Sequence, residues 1–329
     1  MSPGSAFRVS SLHQRAGIPV IQFAIQRILR SLLTLWIVFT TVFAALRLSG
    51  DPAFAILGPE AGQDAVASFR ERFGLDESIL TQYVLYMKNM LTGDMGDSMR
   101  YERPVTELFL ARLPATLELG AWALLIATII GIPLGIMAAL RHDTILDRGA
   151  MLVAFIGQSA PGFFVAIMLI LTFSLRLNWL PSSGRGEPNQ VVMPAITLAI
   201  GLLAALARMT RSSMLEVARA DYIRTATAKG LPRRQVVVSH MLRNASLPTV
   251  TMLGMWISGM IGGTAITETI FAWPGVGNLI VQAVSGRDYA VVQSLVLIIS
   301  ATVILTNLIV DLAYSWLDPR ISMTGKASE

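Results

Sequence analysis

The chain has 329 residues, of which 53% are apolar and only 14% charged, and its mean hydropathy is +0.60. Soluble globular chains carry charge on about a quarter of their residues, so this composition excludes an ordinary soluble enzyme and reads as an all-α integral membrane protein. With no cysteine and three scattered histidines (His13, His142, His240), it also excludes disulfide scaffolds, thiol nucleophiles, zinc-thiolate sites and iron-sulfur clusters, and no metal site is expected.

Six stretches reach or approach the roughly 20 apolar residues that a spanning helix needs. They are 28–48, 114–140, 149–175, 191–207, 247–267 and 290–310, the fourth being short at 17 residues. Residues 1–27 read as a cytoplasmic N-terminal extension. A cleaved signal peptide competes for that stretch, because Arg8 and Arg15 precede an apolar run, but the 21-residue run exceeds a signal core and no convincing cleavage site follows. With the N-terminus inside, sixteen Lys and Arg fall on the cytoplasmic side, whereas the short loops opposite hold only Arg176, Arg185 and Arg287. That positive-inside bias makes both termini cytoplasmic, including the tail at 315–329, and assigns the net charge of +5 to loops rather than to nucleic-acid binding.

After the first span, residues 49–113 form an external segment with ten acids and six bases. Asp76 followed by Ile79, Leu80, Tyr83, Met87, Met90 and Leu91 predicts an amphipathic helix capped at Asp76 and stopped near Gly93. Its apolar face must pack on the rest of the protein, and could also support an external partner. In the third span, Gln158, Ser159 and Pro161 interrupt the apolar run near its middle, and Pro removes a backbone donor. A kink lining a watery path and simple helix-packing strain both fit. Span five carries a small-residue face, Ser258 with Gly262 and Gly259 with Gly263. Glu118 and Glu268, near the external ends of spans two and five, read as capping or hydrated carboxylates.

The loop at 208–246 carries eight bases and two acids, with helical composition on both sides of Lys229-Gly230-Leu231-Pro232. Gly230 is placed to end one helix in a left-handed conformation and Pro232 to open the next. The pattern is a short helix, a tight turn and a second short helix projecting from the membrane. A DNA-binding helix-turn-helix has the same outline, but both ends here are tethered to spans and no third helix completes a DNA-binding core.

Those residues also carry a family resemblance. Arg208-Met-Thr-Arg-Ser-Ser-Met-Leu-Glu-Val, then Asp221-Tyr-Ile-Arg-Thr-Ala-Thr-Ala-Lys-Gly-Leu, His240-Met-Leu-Arg-Asn-Ala and Leu247-Pro248 resemble the cytoplasmic EAA-type loop of bacterial dipeptide and oligopeptide ABC importer permeases, a family that includes nickel and glutathione systems. Further matches run in order along nearly the whole chain: Gly50-Asp51-Pro52, Gly74-Leu75-Asp76, Gly96-Asp97-Ser98, Leu113-Pro-Ala-Thr-Leu-Glu-Leu119, Thr267-Glu-Thr-Ile-Phe-Ala-Trp-Pro-Gly-Val-Gly277 and Asp318-Pro-Arg320. Ser49 departs from the family's usual Pro, and the N-terminal extension has no obvious counterpart.

The resemblance implies a type I ABC importer permease fold of six transmembrane helices, with the transmembrane domain at 113–314, and the first-listed of two related permeases. It implies one half of a translocation pathway, in the bacterial plasma (inner) membrane, for peptides or a related small solute. Its implied partners are a second homologous permease, two ATPase subunits or domains, an external substrate-binding protein and membrane lipid. Docking to the ATPase is implied for Ala226, Lys229, Gly230 and Leu231, with Asp221 and Arg224 tying this lever to its base; a modest ion pair within the helix is the alternative for the last two. The sequence has no G-x-x-x-x-G-K-[ST] loop, and Gly325-Lys326 is followed by Ala. The chain is thus expected to be no enzyme and to hold no cofactor, with ATP and Mg bound by the partner ATPase subunits. A secondary transporter, a channel or an intramembrane enzyme would need midplane ionisable groups, a charged ring or a nucleophile with its base, and the spans offer none.

Overall fold

Four long apolar runs fold into four long helices, because without water each backbone amide must find its partner within its own segment. The computed structural model describes residues 20–317, and every regular element among them is helical, apart from an isolated bridge between Asp97 and Pro104. The chain runs α1 (Val20–Leu48), α2 (Pro52–Leu57), α3 (Gln63–Arg72), α4 (Ile79–Thr92), α5 (Val105–Leu140), α6 (Ile145–Ser159) and α7 (Gly162–Leu169), which continues as a π-helix over Ile170–Arg176. There follow α8 (Val192–Ala218), α9 (Asp221–Ala228), α10 (Arg233–Gln235), a second π-helix (Val236–Leu242), α11 (Arg243–Gly263), α12 (Ala265–Ile270), α13 (Val276–Ser285) and α14 (Tyr289–Leu317).

Helices α1, α5, α8 and α14 are long and apolar enough to cross a membrane, and α6 with α7 and its π-helical continuation, bent by 100° at the break, is apolar enough to be a fifth, broken span. The expected kink at Pro161 is therefore two helices meeting at a corner. Helix α11 is less apolar than those, but its 21 residues reach about 31 Å, and it packs against both α8 and α14. It sits four residues earlier than the apolar run suggests, ending at Gly263 before Thr264 and α12. Two other spans are longer than expected: α5 begins at Val105, and α8 continues eleven residues past Ala207. The N-terminal extension up to residue 19 and Asp318-Pro-Arg320 lie outside the described residues, as does the side chain of Ser258.

The core is the α5–α8 contact, and small residues make it possible. A Cβ on Gly131 would stand 2.8 Å from the Leu203 carbonyl oxygen, and one on Gly135 would stand 2.5 Å from that of Ala207. Ala123, Ala127, Ala199, Leu202 and Leu206 complete the seam. The small-residue face expected on span five plays a lesser part: Gly262 approaches Ile299 of α14, while Gly259 and Gly263 face open space.

The segment at 49–113 lies on α1 and the start of α14. Helix α4 is capped by Ser78, whose hydroxyl accepts from the Thr81 amide, so the cap falls two residues later than Asp76; Gly93 ends the helix at φ 81° as expected. Tyr83 and Tyr86 pack on Phe39 and Phe43 of α1, and Tyr83 shares a 2.9 Å hydrogen bond with Thr40. The apolar face thus packs on the chain itself, although Ile79, Leu80 and Leu91 stay exposed. Asp51 caps α2 through the Ala53 amide and binds Arg70. Burial pushes the Asp51 carboxyl up, but the Arg70 and Ala53 bonds outweigh it and hold it below its ordinary value. Buried Asp288 accepts from the Ser98 hydroxyl and from the Met99 and Arg100 amides, pinning the 94–104 stretch to the start of α14.

Candidate functional site

Helix α9 and its turn stand on a base of their own chain's apolar residues. Ile223, Ala226, Val236, Met241 and Ala245 pack with Met214 of α8 and Ala139 of α5. The turn closes as the sequence suggests. Lys229 is the last half-helical residue, Gly230 takes φ 77°, the Gly230 amide donates to the Thr227 carbonyl at 3.0 Å and the Leu231 amide to that of Ala226 at 3.4 Å. These are the paired bonds of a Schellman motif, with Leu231 folding back on the same apolar base as Ala226. Pro232 at φ −61° stands just before α10.

The candidate docking residues divide. Lys229 and Gly230 are exposed at the tip and Leu231 is half-buried beside them, whereas Ala226, at 7% exposure, is buried in the base and supports the tip from beneath. Asp221 and Arg224 are both exposed and approach only each other, at 3.8 Å, so they do not tie the helix to its base. That is the modest intrahelical pair, weak in water. What fixes the base is the buried apolar cluster, with one polar tie in which Asn244 donates to the Tyr222 hydroxyl at 2.9 Å. Arg224, Lys229, Arg233 and Arg234 leave the exposed tip strongly basic.

A second support was not read from the sequence. Asp147, 2% exposed at the start of α6, accepts from Arg211 of α8 on both oxygens, at 2.6 and 2.7 Å, with His142 3.2 Å from one of them. This clamp lets α8 run past Arg208 and Arg211 toward α9, because Arg211 meets a carboxylate rather than bare lipid or water. Thr144, three residues before Asp147, has the spacing of a capping box and could have flagged the carboxylate. His142, Asp143 and Asp147 offer ligand atoms within 4.8 Å of one another, but the Arg211 guanidinium already occupies the place that a cation would take.

At the break in the third span, Ala160 and Pro161 are extended, and Gln158, Ser159 and Pro161 are all exposed. They lie outside the lining of a cavity of about 290 Å³ on the other side of the corner, bounded by Ala160 and Gly162, by Thr197 and Gly201 of α8 and by Gly263 of α11. In the first half of α5, Glu118 pairs with Arg185 at 2.6 Å. Glu268 is not hydrated but is a cap, of α13 rather than of its own helix, through the Asn278 amide in the first turn. It is fully buried, accepting from the Thr116 and Thr264 hydroxyls at 2.7 and 2.8 Å and from the Asn278 amide at 2.8 Å.

The comparison with protein families is decisive. Residues 131–323 match the binding-protein-dependent transport system inner membrane component family, and residues 20–120 match the N-terminal region of the corresponding membrane component. The chain belongs to this family. Among its relatives, a dipeptide transport system permease protein, DppB, of Alkalihalophilus pseudofirmus is 39% identical over 92% of this chain and 99% of its own length. A glutathione transport system permease protein, GsiC, of Escherichia coli strain K12 is also 39% identical, over 92% of this chain and 99% of its own. A solved MetNI methionine ABC transporter in inward-facing conformations superposes with a TM-score of 0.49 at 20% identity, over 63% of this chain and 96% of that one. This permease is accordingly a multi-pass inner-membrane subunit of an ABC importer, a transport component whose ATPase is a separate subunit.

Proposed function

We propose that this permease forms one half of a translocation pathway for peptides or a peptide-like solute such as glutathione, and that the α9 turn is where ATPase subunits engage it. The observation that carries the reading is the basic, exposed tip at Lys229 and Gly230, held by a closed turn on an apolar base continuous with α5 and α8. A contact that must transmit force needs such a rigid seat. The names of the 39% identical relatives support the peptide class. Asp221, Arg224, Lys229, Gly230 and Leu231 present the contact and Ala226 underlies it, while Gln158, Ser159 and Pro161, exposed at the broken span, face the pathway. The transmembrane domain occupies 113–314, ATP and Mg bind the ATPase partners, and a second permease and an external binding protein complete the assembly within membrane lipid.

Reconstitution tests this. The purified chain in liposomes shows neither ATP hydrolysis nor saturable uptake, and both appear when the second permease, the ATPase subunits and the binding protein are added. Peptide accumulation against a gradient by the chain alone would mark a self-sufficient carrier instead.

In this reading both termini and the α9 turn are cytoplasmic, and residues 49–113 face outward. The chain has no cysteine, so single cysteines at exposed Glu77 and Ser239 give clean labels. On intact cells an impermeant thiol reagent modifies the first and spares the second; the opposite pattern reverses the orientation.

A further inference from the structure

Among the described residues, four buried side-chain atoms lack a hydrogen-bond partner: Arg47 Nε, Gln82 Oε1, the Tyr86 hydroxyl and Gln293 Nε2. All four residues line one cleft of about 420 Å³, open on one side and bordered by the end of α1, α4, the stretch around Met95 and the first turns of α14. Buried polar groups are almost always paired, because an unmet donor costs its full desolvation, so four orphans around one space call for an occupant. The space is large enough for a small solute as well as for water.

The chemistry of the orphans is lopsided. Two are donors only, one is an acceptor, and the Tyr86 hydroxyl can be either. Arg47 makes no ion pair among the described residues; its guanidinium lies over the rings of Phe43, at 5.1 Å, and Tyr289, at 4.9 Å. Gln293 is 7% exposed, while the Tyr86 hydroxyl lies beside Ser294, whose oxygen donates to the Met95 carbonyl and can accept from Tyr86. Asp94 and Asp97 also border the cavity, but both are exposed, and one Asp94 oxygen accepts from the Gly96 amide, so the acids stand at a hydrated rim. The interior is cationic and rich in donors.

We propose that this cavity, on the membrane side that carries residues 49–113, binds a small carboxylate-bearing solute, with Arg47 as counter-charge and Gln293 as a further donor. The site is separate from the broken span and the α9 turn, and it stands or falls independently of the cargo proposed above.

The full chain in lipid nanodiscs, probed by saturation-transfer NMR with acetate and with methylammonium as the cationic control, tests this. The acetate methyl receives saturation and methylammonium does not. Removing one donor to the charged ligand in Gln293→Leu, or the counter-charge in Arg47→Gln, weakens acetate binding by about tenfold, while thermal melting confirms that each variant is folded. Should Arg47→Gln fail to fold, Gln293→Leu decides alone. No transfer to acetate in the unaltered protein, or equal transfer in the folded variants, would show that the cavity holds water only.

Discussion

Replacing Gly230 with valine leaves the chain inserted in the membrane and abolishes ATP-driven uptake by the assembled importer. At φ 77° an L side chain costs about 1–2 kcal/mol, and a β-branched one more. No atom lies within 4 Å of the place a Cβ would occupy, so the penalty is conformational rather than steric. The two Schellman bonds open, Leu231 leaves its seat beside Ala226, and the basic tip loses its position. Gly230→Asn separates the two possible origins of the defect, since asparagine tolerates the left-handed region. Uptake persists in that variant if the turn's shape is what matters. Uptake assays on equally expressed variants give the answer, and full transport by Gly230→Val would remove this turn from the coupling pathway.

Truncating Glu268 to alanine destabilises the bundle by about 3 kcal/mol, since three buried donors lose their acceptor at about 1 kcal/mol or more each. The carboxyl joins Thr116 of α5, Thr264 between α11 and α12, and Asn278 of α13. It also fills the space above Gly275, where a Cβ would stand 2.4 Å from its oxygens, so Gly275→Ala overpacks the same point at a cost of about 1–3 kcal/mol. Both variants melt earlier in detergent and accumulate poorly. A melting curve unchanged in Glu268→Ala would mean that the three donors find other acceptors.

The contrast between those two residues shows what a sequence can disclose. Gly230 was legible because its requirement is local: Gly followed by Leu-Pro between two helical runs has few other uses. Glu268 was legible only as a possible cap or hydrated carboxylate, because its partners Thr116 and Asn278 lie on other helices, the first 152 residues away. The spans were visible in the apolar runs, but their ends were not. Helix α8 continues past Arg208 and Arg211 because Asp147, 64 residues earlier, receives Arg211. Likewise Ala226 stood out as part of a motif, but only the packing of Met214, Val236 and Met241 around it shows that it faces inward.

From Arg233 to Gly263 the backbone stays helical through α10, the π-helical turns and α11, with Pro248 removing one ladder bond without ending the helix. The turn at Gly230 therefore leads, through extended Pro232, into a continuous helical stretch about 45 Å in contour rather than into a pliable loop. Simple gearing follows. Tilting such a stretch as a unit by about 5° about its near end would sweep the far end through about 4 Å, less than the roughly 5–6 Å radius of a helix with its side chains. The far end of that stretch lies beside Thr264 and the corner of the third span, and α11 is held along the way by its packing on α8 and α14.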